Sequence, residues 1–451
     1  MGSTAARRWW ARASLGLVVL TVLLLLAAAG PRSLWLLALV AAACAGVVAA
    51  LFWFLRERAP LRWIALALAV CAPVAVGWAL VTDGLLWVAL VAAALLAAAT
   101  AAAHEALRPD PSEWALPVAE APAPRRPFLV MNPRSGGGKV IRFRLRERAE
   151  ELGAEVALLD RPGTDVQQLA REAVARGADL LGVAGGDGTQ ALVAQVAAEH
   201  DVPFLVVSAG TRNHFALDLG LDRDDPTRCL DALRDGVEAR IDLGEINGRV
   251  FVNNASFGAY AEIVENPAYR DDKRGTTLAA LPDVLSRRRG ARLVADVGEV
   301  TVRAPQALLV SNDPYEASDL AGLGRRSRLD RGLLGVVAVR VDSARQAVGL
   351  LNGAHSTGLR RLEVREVVVT ADEPDIPVGV DGETLRMTVP VRCTSRPAAL
   401  RVRLPRHRPG VRAPRGRLHW ATLWALAAGR QVPLRGGTPA GEPAASAAGD
   451  A

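Results

Sequence analysis

The sequence predicts an α-helical region of about four membrane spans, followed by a body of two domains. The first domain of the body is an α/β domain with a parallel sheet, and the second is a mostly antiparallel β-domain. Three observations predict this fold class. Residues 1–105 carry few charges, the next part alternates short apolar runs with helical patterns, and the remainder has many strand patterns and few helices. The predicted segments are a four-span region at 1–105, a Pro/Ala-rich linker at 106–126, the α/β domain at 127–237, the β-rich domain at 238–405 and a basic, partly disordered tail at 406–451.

The apolar region contains four uninterrupted stretches, at 13–30, 33–55, 61–82 and 84–103. Each approaches the ~20 residues with which a helix crosses the hydrocarbon core. Arginines precede the first stretch, separate the second from the third and follow the fourth, whereas the alternate loops carry one arginine or none. This asymmetry predicts a multi-pass cell-membrane protein with both termini and the body in the cytoplasm. A cleaved signal peptide at 1–30 is the alternative, and the three further stretches disfavour it.

The composition excludes several classes of protein. A hydrophobic share of 51% excludes a disordered chain. The 4 cysteines show no CxxC or Cys/His spacing, so the sequence indicates neither a disulfide framework nor structural zinc. Of the 54 basic residues only Lys139 and Lys273 are lysines, which indicates a chain-wide bias toward arginine. The net charge of +7 therefore does not predict a nucleic-acid partner.

The α/β domain is predicted from strands and helices that alternate along the chain. The candidate strands are Phe128–Asn132, Glu155–Asp160, Asp179–Ala184 and Pro203–Ser208. The candidate helices are 139–152, 165–176, 188–199 and 225–235. Buried strands in this alternation are typical of a parallel sheet. In the β-rich domain, two helical insertions at about 274–289 and 343–358 interrupt the strand pattern.

Three turns of the α/β domain each follow a strand and open a helix. Their sequences are Asn132-Pro133-Arg134-Ser135-Gly136-Gly137-Gly138-Lys139, Gly185-Gly186-Asp187-Gly188-Thr189 and Ala209-Gly210-Thr211-Arg212-Asn213. In a parallel sheet all three turns emerge at the same carboxyl edge, where ligands bind. Glycine permits close approach to a ligand, and the N–H groups at a helix start favour anions. The turns therefore predict a phosphate-binding edge, and Asp187 among glycines suits a divalent cation or a reacting hydroxyl.

Two common nucleotide motifs do not fit these turns. Lys139 is followed by Val140, so the first turn is not the GxxxxGK[ST] loop. It does not fit GxGxxG either, which disfavours a dinucleotide fold of the dehydrogenase kind. A single glycine-rich turn is common without any ligand, and the prediction depends on all three turns converging.

Taken in order, the three turns and a late Asp381-Gly382-Glu383 resemble the catalytic domain of diacylglycerol kinase and sphingosine kinase-like lipid kinases. The resemblance covers about 128–404 and excludes the apolar region. It implies a fold like that of NAD kinase and diacylglycerol kinase, with ATP and Mg²⁺ as cofactors. It also implies a lipid substrate in the bilayer, with diacylglycerol converted to phosphatidic acid as the first expectation.

The resemblance also implies roles for individual residues. The residues that would bind ATP are Asn132, Ser135, Gly136, Gly137, Gly138, Lys139, Gly185, Gly186, Gly188, Thr189, Gly210, Thr211 and Asn213. The residues that would serve catalysis are Asp187, Glu383 and Asp381, with Asp187 also near the metal. Both Asp187 and Glu383 have been assigned as the base in the family, so both stay candidates.

Two positions depart from the family pattern. His214 stands where an aspartate often follows GTxN, and Arg331 stands where Leu-Asp-Asp-Gly often supplies a ligand for a structural metal. Because arginine does not bind Mg²⁺, we expect an ion pair of Arg331 instead of that second metal. These departures keep open a catalytically impaired, lipid-binding regulatory membrane protein. A soluble-substrate kinase related to NAD kinase is the other alternative, and an assembly of identical chains is left open.

Two further expectations concern residues outside the motifs. Asp242 and Glu245 lie near the edge of a predicted strand, and we expect them to be solvated. The segment Leu418–Ala428 follows a run of arginines and is predicted either to lie on an anionic membrane surface or to remain solvated.

Overall fold

The computed structural model describes most of the chain. The described residues are 4–29, 32–57, 60–108, 115–161, 163–258, 261, 291–316, 326, 328–340, 358–411 and 419–430. They divide into two compact units, one within 1–36, 79–115 and 413–451 and the other within 37–78 and 116–412.

The apolar region forms four long helices, as predicted. They are α1 Thr4–Ala29, α2 Arg32–Arg56, α3 Leu61–Thr82 and α4 Leu86–Ala106. By length and composition, 4 helices of the described chain are able to cross a membrane. In the first unit, α1 and α4 pack against each other and against the late helix α10, Trp420–Ala427. Their shared core consists of alanine and leucine side chains, including Ala11, Ala103 and Leu423.

The α/β part of the second unit has the predicted parallel strands. Their spatial order is β3-β2-β4-β5, and all three pairings are parallel. The strands of this part are β1 Ala119–Glu120, β2 Pro127–Met131, β3 Glu155–Leu158, β4 Leu180–Ala184 and β5 Phe204–Val207. The helices are α5 Lys139–Arg142, α6 Leu145–Glu151, α7 Val166–Ala175, α8 Asp187–Glu199 and α9 His214–Asp218. Strands β2, β4 and β5 are buried along their whole length, so the carboxyl edge is supported by a rigid apolar layer.

The remaining strands form the rest of the second unit. They are β6 Gly236–Ile246, β7 Arg249–Phe251, β8 Asn254–Gly258, β9 Val294–Val297, β10 Val300–Arg303, β11 Ala307–Asn312, β12 Leu334–Val339, β13 Leu359–Val364, β14 Glu366–Thr370, β15 Asp375–Val380, β16 Glu383–Thr388 and β17 Val391–Pro405. Six of them form an antiparallel sheet in the order β13-β12-β11-β8-β15-β16.

The parallel sheet extends further than the sequence predicts. Strand β17 pairs in parallel with β5, where Val402 lies opposite Phe204, and antiparallel with β6 and β14. An 11-stranded mixed sheet results, and it runs past the predicted boundary at residue 238. Apolar periodicity indicates that β17 is a strand, but it does not indicate which strand it pairs with.

Three local predictions differ from the structure. The predicted helix 139–152 is broken into α5 and α6, because Arg144 adopts a left-handed conformation with φ 51°. The predicted helix 225–235 is a 3-10 helix, Pro226–Leu233. The insertions at 274–289 and 343–358 lie outside the described residues, apart from Gly358.

Candidate functional site

The first glycine turn leaves β2 through an ordered polar bend. Asn132 N–H donates to the carbonyl of Ala184 at 2.9 Å, and its side-chain oxygen accepts from Arg134 N–H at 3.0 Å. Gly136, Gly137 and Gly138 then follow with φ of 56°, 71° and 77°. These left-handed conformations cost glycine less than any other residue, and they turn the chain into α5.

The third turn is folded by one amide side chain. Asn213 is 2% exposed and donates to the carbonyls of Ser208 and Gly210 at 3.0 and 2.7 Å. Its side-chain oxygen accepts from Gly210 N–H at 2.7 Å. These bonds hold the turn closed, so the structure gives Asn213 a role in shaping the loop.

The three turns touch one another through their glycines. A Cβ on Gly136 would lie 2.2 Å from the backbone oxygen of Ala209, and one on Gly210 would lie 2.8 Å from that of Gly185. A side chain at Gly136 or Gly210 would therefore collide with the neighbouring turn, which shows that the backbones of the turns are in direct contact. The predicted convergence of the three turns is present in the structure.

The resemblance implies that this edge binds ATP, and on that expectation Gly136→Ala weakens ATP binding about tenfold more than Gly137→Ala does, which corresponds to about 1.4 kcal/mol. Both glycines have positive φ, so alanine at either position adds backbone strain of about 1–3 kcal/mol. A Cβ at Gly137 meets nothing within 4 Å, whereas one at Gly136 collides with Ala209 and pushes two turns apart. Titration of both variants with a fluorescent ATP analogue measures the difference, and equal affinities would contradict the packing account.

Asp187 begins α8 at the centre of the edge. One carboxylate oxygen, Oδ2, accepts from His214 N–H at 3.3 Å. The other, Oδ1, is buried and has no hydrogen-bond partner in the described chain. The contact of residue 214 with Asp187 uses the backbone N–H, so it does not depend on histidine and any residue except proline is able to make it.

Glu383 lies against the same helix start. A Cβ on Gly188 would lie 2.6 Å from Glu383 Oε1, so the carboxylate rests directly on the first turn of α8. Its other oxygen pairs with Arg249 at 2.6 Å, and the Glu383 side chain is 49% exposed. The sequence did not single out Arg249, because one arginine beside a hairpin turn carries no distinctive signal.

Asp381 is held beside this pair by the backbone. Its carboxylate accepts from the N–H groups of Val252, Asn253 and Asn254 at 2.8, 2.8 and 3.1 Å. Burial raises the pKa of Asp381 to about 7, the backbone hydrogen bonds oppose this rise, and the charge of Asp187 adds to it. Gly188 follows Asp187 and lies against Glu383, which is two residues after Asp381, so the acidic groups of both motifs lie in one region, here called the crevice.

The acidic side chains of this region supply only part of the ligand set that a cation needs. Within the described residues, no three His, Cys, Asp or Glu side chains form a group that could hold a metal ion. The unpartnered Oδ1 of Asp187 nevertheless supplies one buried oxygen ligand of the kind that Mg²⁺ prefers. Mg²⁺ in such sites is held by one or two carboxylates together with substrate phosphates. Asp187 could therefore supply one protein ligand to such a metal.

The Lys139 side chain contacts two backbone carbonyls of the protein. Its ammonium donates to the carbonyl of Arg223 at 2.7 Å and to that of Ser208 at 3.5 Å. Burial lowers the pKa of Lys139, and the nearby Arg142 and Arg223 act in the same direction. These contacts tie α5 to Ser208, directly before the third turn, and to the loop after α9.

The expectation that Asp242 is solvated is wrong. Asp242 is 1% exposed and accepts from the N–H groups of Gly332 and Ala398. It faces the fully buried Asp313, whose pKa is raised to about 8 by burial and by the charge of Asp242.

Arg331 pairs with Glu363 at 2.7 Å, so the predicted ion pair is present.

We expect Asp313→Asn to have a higher melting temperature than wild type, and we expect this difference to grow as the pH rises. The folded chain keeps a proton on Asp313 that the unfolded chain releases, so wild-type stability falls between about pH 4 and pH 8. Each unit of pKa difference corresponds to about 1.4 kcal/mol. Asparagine stays neutral and removes this loss. Thermal unfolding across this range, with Glu147→Gln as an exposed control, measures the effect, and a pH-independent difference would contradict it.

A second buried charge joins the α/β part to the β-rich part. Arg326 is fully buried and donates to the Asp218 carboxylate at 2.7 Å. It also donates to the carbonyls of Val252 and Asn312 at 2.7 and 2.6 Å, and to Asn253 Oδ1 at 2.9 Å. Asp218 ends α9, which follows the third turn. The ion pair therefore fixes that turn relative to the backbone that binds Asp381.

Comparison with known proteins identifies a family of similar sequences. Residues 126–246 match the family model described as the diacylglycerol kinase catalytic domain. A protein named diacylglycerol kinase from Mycobacterium tuberculosis is 30% identical over 298 residues, which are 62% of this chain and 94% of that protein. A protein from Pseudomonas aeruginosa named "Probable lipid kinase YegS-like" is 30% identical over 306 residues, covering 64% and 97% of the two chains. The crystal structure of a diacylglycerol kinase from Bacillus anthracis aligns with a TM-score of 0.45 at 16% identity, over 62% of this chain and 96% of that chain.

Proposed function

Because this chain belongs to the diacylglycerol kinase family of lipid kinases, and is therefore a kinase, we propose that it converts diacylglycerol to phosphatidic acid at a membrane. The observation that supports this proposal is the contact of Gly188 with Glu383, which places a carboxylate at the turn carrying Asp187. The family implies the use of ATP. The choice of diacylglycerol, the need for Mg²⁺ and the residue roles below are proposals.

The three glycine turns bind the triphosphate of ATP. Their backbones meet through Gly136, Ala209 and Gly210, so the starts of the three helices that follow these turns lie at one edge. Phosphoryl transfer needs mainly positioning and neutralisation of charge, which such an edge supplies. Bound Mg²⁺ would neutralise phosphate charge, and Asp187 Oδ1 would be its ligand from the protein.

Glu383 accepts the proton of the substrate hydroxyl. Its carboxylate is half exposed, so a lipid hydroxyl is able to reach it, whereas the free oxygen of Asp187 is buried. As the hydroxyl oxygen bonds to the γ-phosphorus, the bond from that phosphorus to the bridging oxygen breaks and ADP leaves. Arg249 holds Glu383 in place through its 2.6 Å ion pair. We therefore assign the base to Glu383 and the metal ligand to Asp187.

The four apolar helices place the enzyme where its substrate is. They are long and apolar enough to span a bilayer, and we propose that they do so with both termini and the body in the cytoplasm. ATP is available on that side, and a lipid acceptor reaches the crevice by diffusion within the leaflet.

Transfer of label from ATP to lipid tests this function. Full-length protein in vesicles made from a total lipid extract is incubated with [γ-³³P]ATP and Mg²⁺, and the labelled product is identified by chromatography and mass spectrometry. We expect label in phosphatidic acid. Label in another phospholipid would overturn diacylglycerol as the substrate and keep the lipid kinase. NADP formed from added NAD, or ATP binding without turnover on any lipid, would contradict the proposal.

A further inference from the structure

The late helix α10 lies outside the catalytic crevice, and the proposed reaction gives it no role. Its sequence from Trp420 to Ala427 reads WATLWALA and contains no charged residue. A helix that is apolar on all sides is unstable in water and needs an apolar environment around it. The structure supplies that environment for only part of its surface.

One side of α10 is occupied by protein. Leu423 and Leu426 are buried against Ala11 of α1 and against the last turn of α4, around Ala106. Arg12 Nε donates to the carbonyl of Ala427 at 2.9 Å, which satisfies a carbonyl in the last turn of α10. The helix is thus fixed to the first turns of α1 and the last turns of α4.

The other side of α10 carries two exposed tryptophans. Trp420 and Trp424 are four residues apart, so they lie on one face of the helix, and they are 60% and 63% exposed. At the same end of α1, Trp9 is 62% exposed and Trp10 is 39% exposed. Tryptophan is enriched at the boundary between hydrocarbon and water, where the indole ring is buried and its N–H remains hydrated.

Charge at this end of the unit indicates which lipids surround it. The basic residues near α10 among the described residues are Arg7, Arg8, Arg12, Arg108 and Arg430. The acidic residue described there is Glu105, which pairs with Arg108 at 3.2 Å. The surplus of positive charge favours anionic headgroups and is the charge pattern of a cytoplasmic end.

We propose that α10 is an interfacial helix that lies in the headgroup region of the cytoplasmic leaflet, with Trp420 and Trp424 inserted among anionic lipids. The inference relies on the proposed membrane placement of α1 and α4 and is independent of catalysis. Of the two expectations for the segment Leu418–Ala428, the proposal adopts the membrane surface.

Tryptophan fluorescence of full-length protein in phosphatidylcholine–phosphatidylglycerol vesicles tests the proposal. The variant is Trp420→Phe/Trp424→Phe, which keeps the face apolar, and subtracting its emission from that of wild type leaves the signal of the two residues. Circular dichroism confirms that the variant is folded. The matched control is Trp9→Phe/Trp10→Phe, which isolates the tryptophans of α1 in the same way.

The result expected is quenching of the difference signal by lipids brominated near the headgroup, with little quenching by aqueous iodide. Strong quenching by iodide alone would overturn the proposal, because the face would then be solvated. Protection from both quenchers would also overturn it, because the face would then be covered by protein. Since none of these readouts requires turnover, a failed kinase assay leaves the test intact.

Discussion

Asp187→Asn is expected to reduce phosphoryl transfer by about 10³-fold or more while the protein stays folded. Asparagine keeps an oxygen that accepts from His214 N–H, so the contact that holds α8 against α9 survives. It loses the charge of the buried, unpartnered Oδ1, and with it the proposed metal ligand. The measurement is the turnover of lipid and the affinity for ATP, each with and without Mg²⁺.

The outcome expected of Asp187→Asn is loss of the Mg²⁺ dependence of ATP binding together with loss of turnover. Asp224→Asn is the matched control, because Asp224 is an exposed acid in the loop after α9 and should leave both unchanged. Glu383→Gln separates the two roles, since it should reduce turnover and leave the Mg²⁺-dependent binding of ATP intact. Mg²⁺-dependent ATP binding that survives in Asp187→Asn would contradict the assignment of the metal ligand.

Arg326→Met is expected to destabilise the body by about 3–5 kcal/mol. The Arg326 and Asp218 side chains are 0% and 2% exposed. Removing the guanidinium therefore leaves the Asp218 carboxylate buried without its partner. It also leaves the carbonyls of Val252 and Asn312 without their donor. Thermal unfolding of the reconstituted protein, followed by near-ultraviolet circular dichroism, measures the loss.

Neutralising both partners tests whether charge causes this loss. In Arg326→Met/Asp218→Asn no buried charge remains, so the double variant should be more stable than Arg326→Met alone. The unpaired carbonyls keep it below wild type, by about 1–3 kcal/mol for each group. A double variant as unstable as Arg326→Met would show that the lost packing and hydrogen bonds dominate.

The convergence of the three glycine turns was predictable because all three have the same local sequence pattern. Each turn combines glycines, the end of a buried strand and the start of a helix, and parallel strands bring such turns to one edge. The contacts of Gly136 with Ala209 and of Gly210 with Gly185 place those turns together. The position of Glu383 itself came from the family resemblance, because a hairpin Asp-Gly-Glu at residue 381 is otherwise an ordinary turn.

The residues that fix the crevice from outside were not predictable. Arg326 lies in an arginine-rich segment whose sequence does not distinguish it from its neighbours, and its burial depends on contacts with residues 14 to 108 positions away. Asp242 has the pattern of a strand-edge acid, but β17 and the turn at Gly332 cover it. Contacts between residues far apart in the sequence bury both Arg326 and Asp242, and the local periodicity of the sequence does not indicate such contacts.

The central claim is that one crevice joins the nucleotide to a lipid hydroxyl. The most direct test is the conversion of diacylglycerol by the purified full-length chain in vesicles, with ADP and phosphatidic acid measured in the same samples. The account predicts equal molar amounts of the two products, and loss of both when Glu383 is replaced by glutamine. Undiminished phosphatidic acid formation by Glu383→Gln, or ATP binding with no phosphatidic acid from wild type, would contradict it.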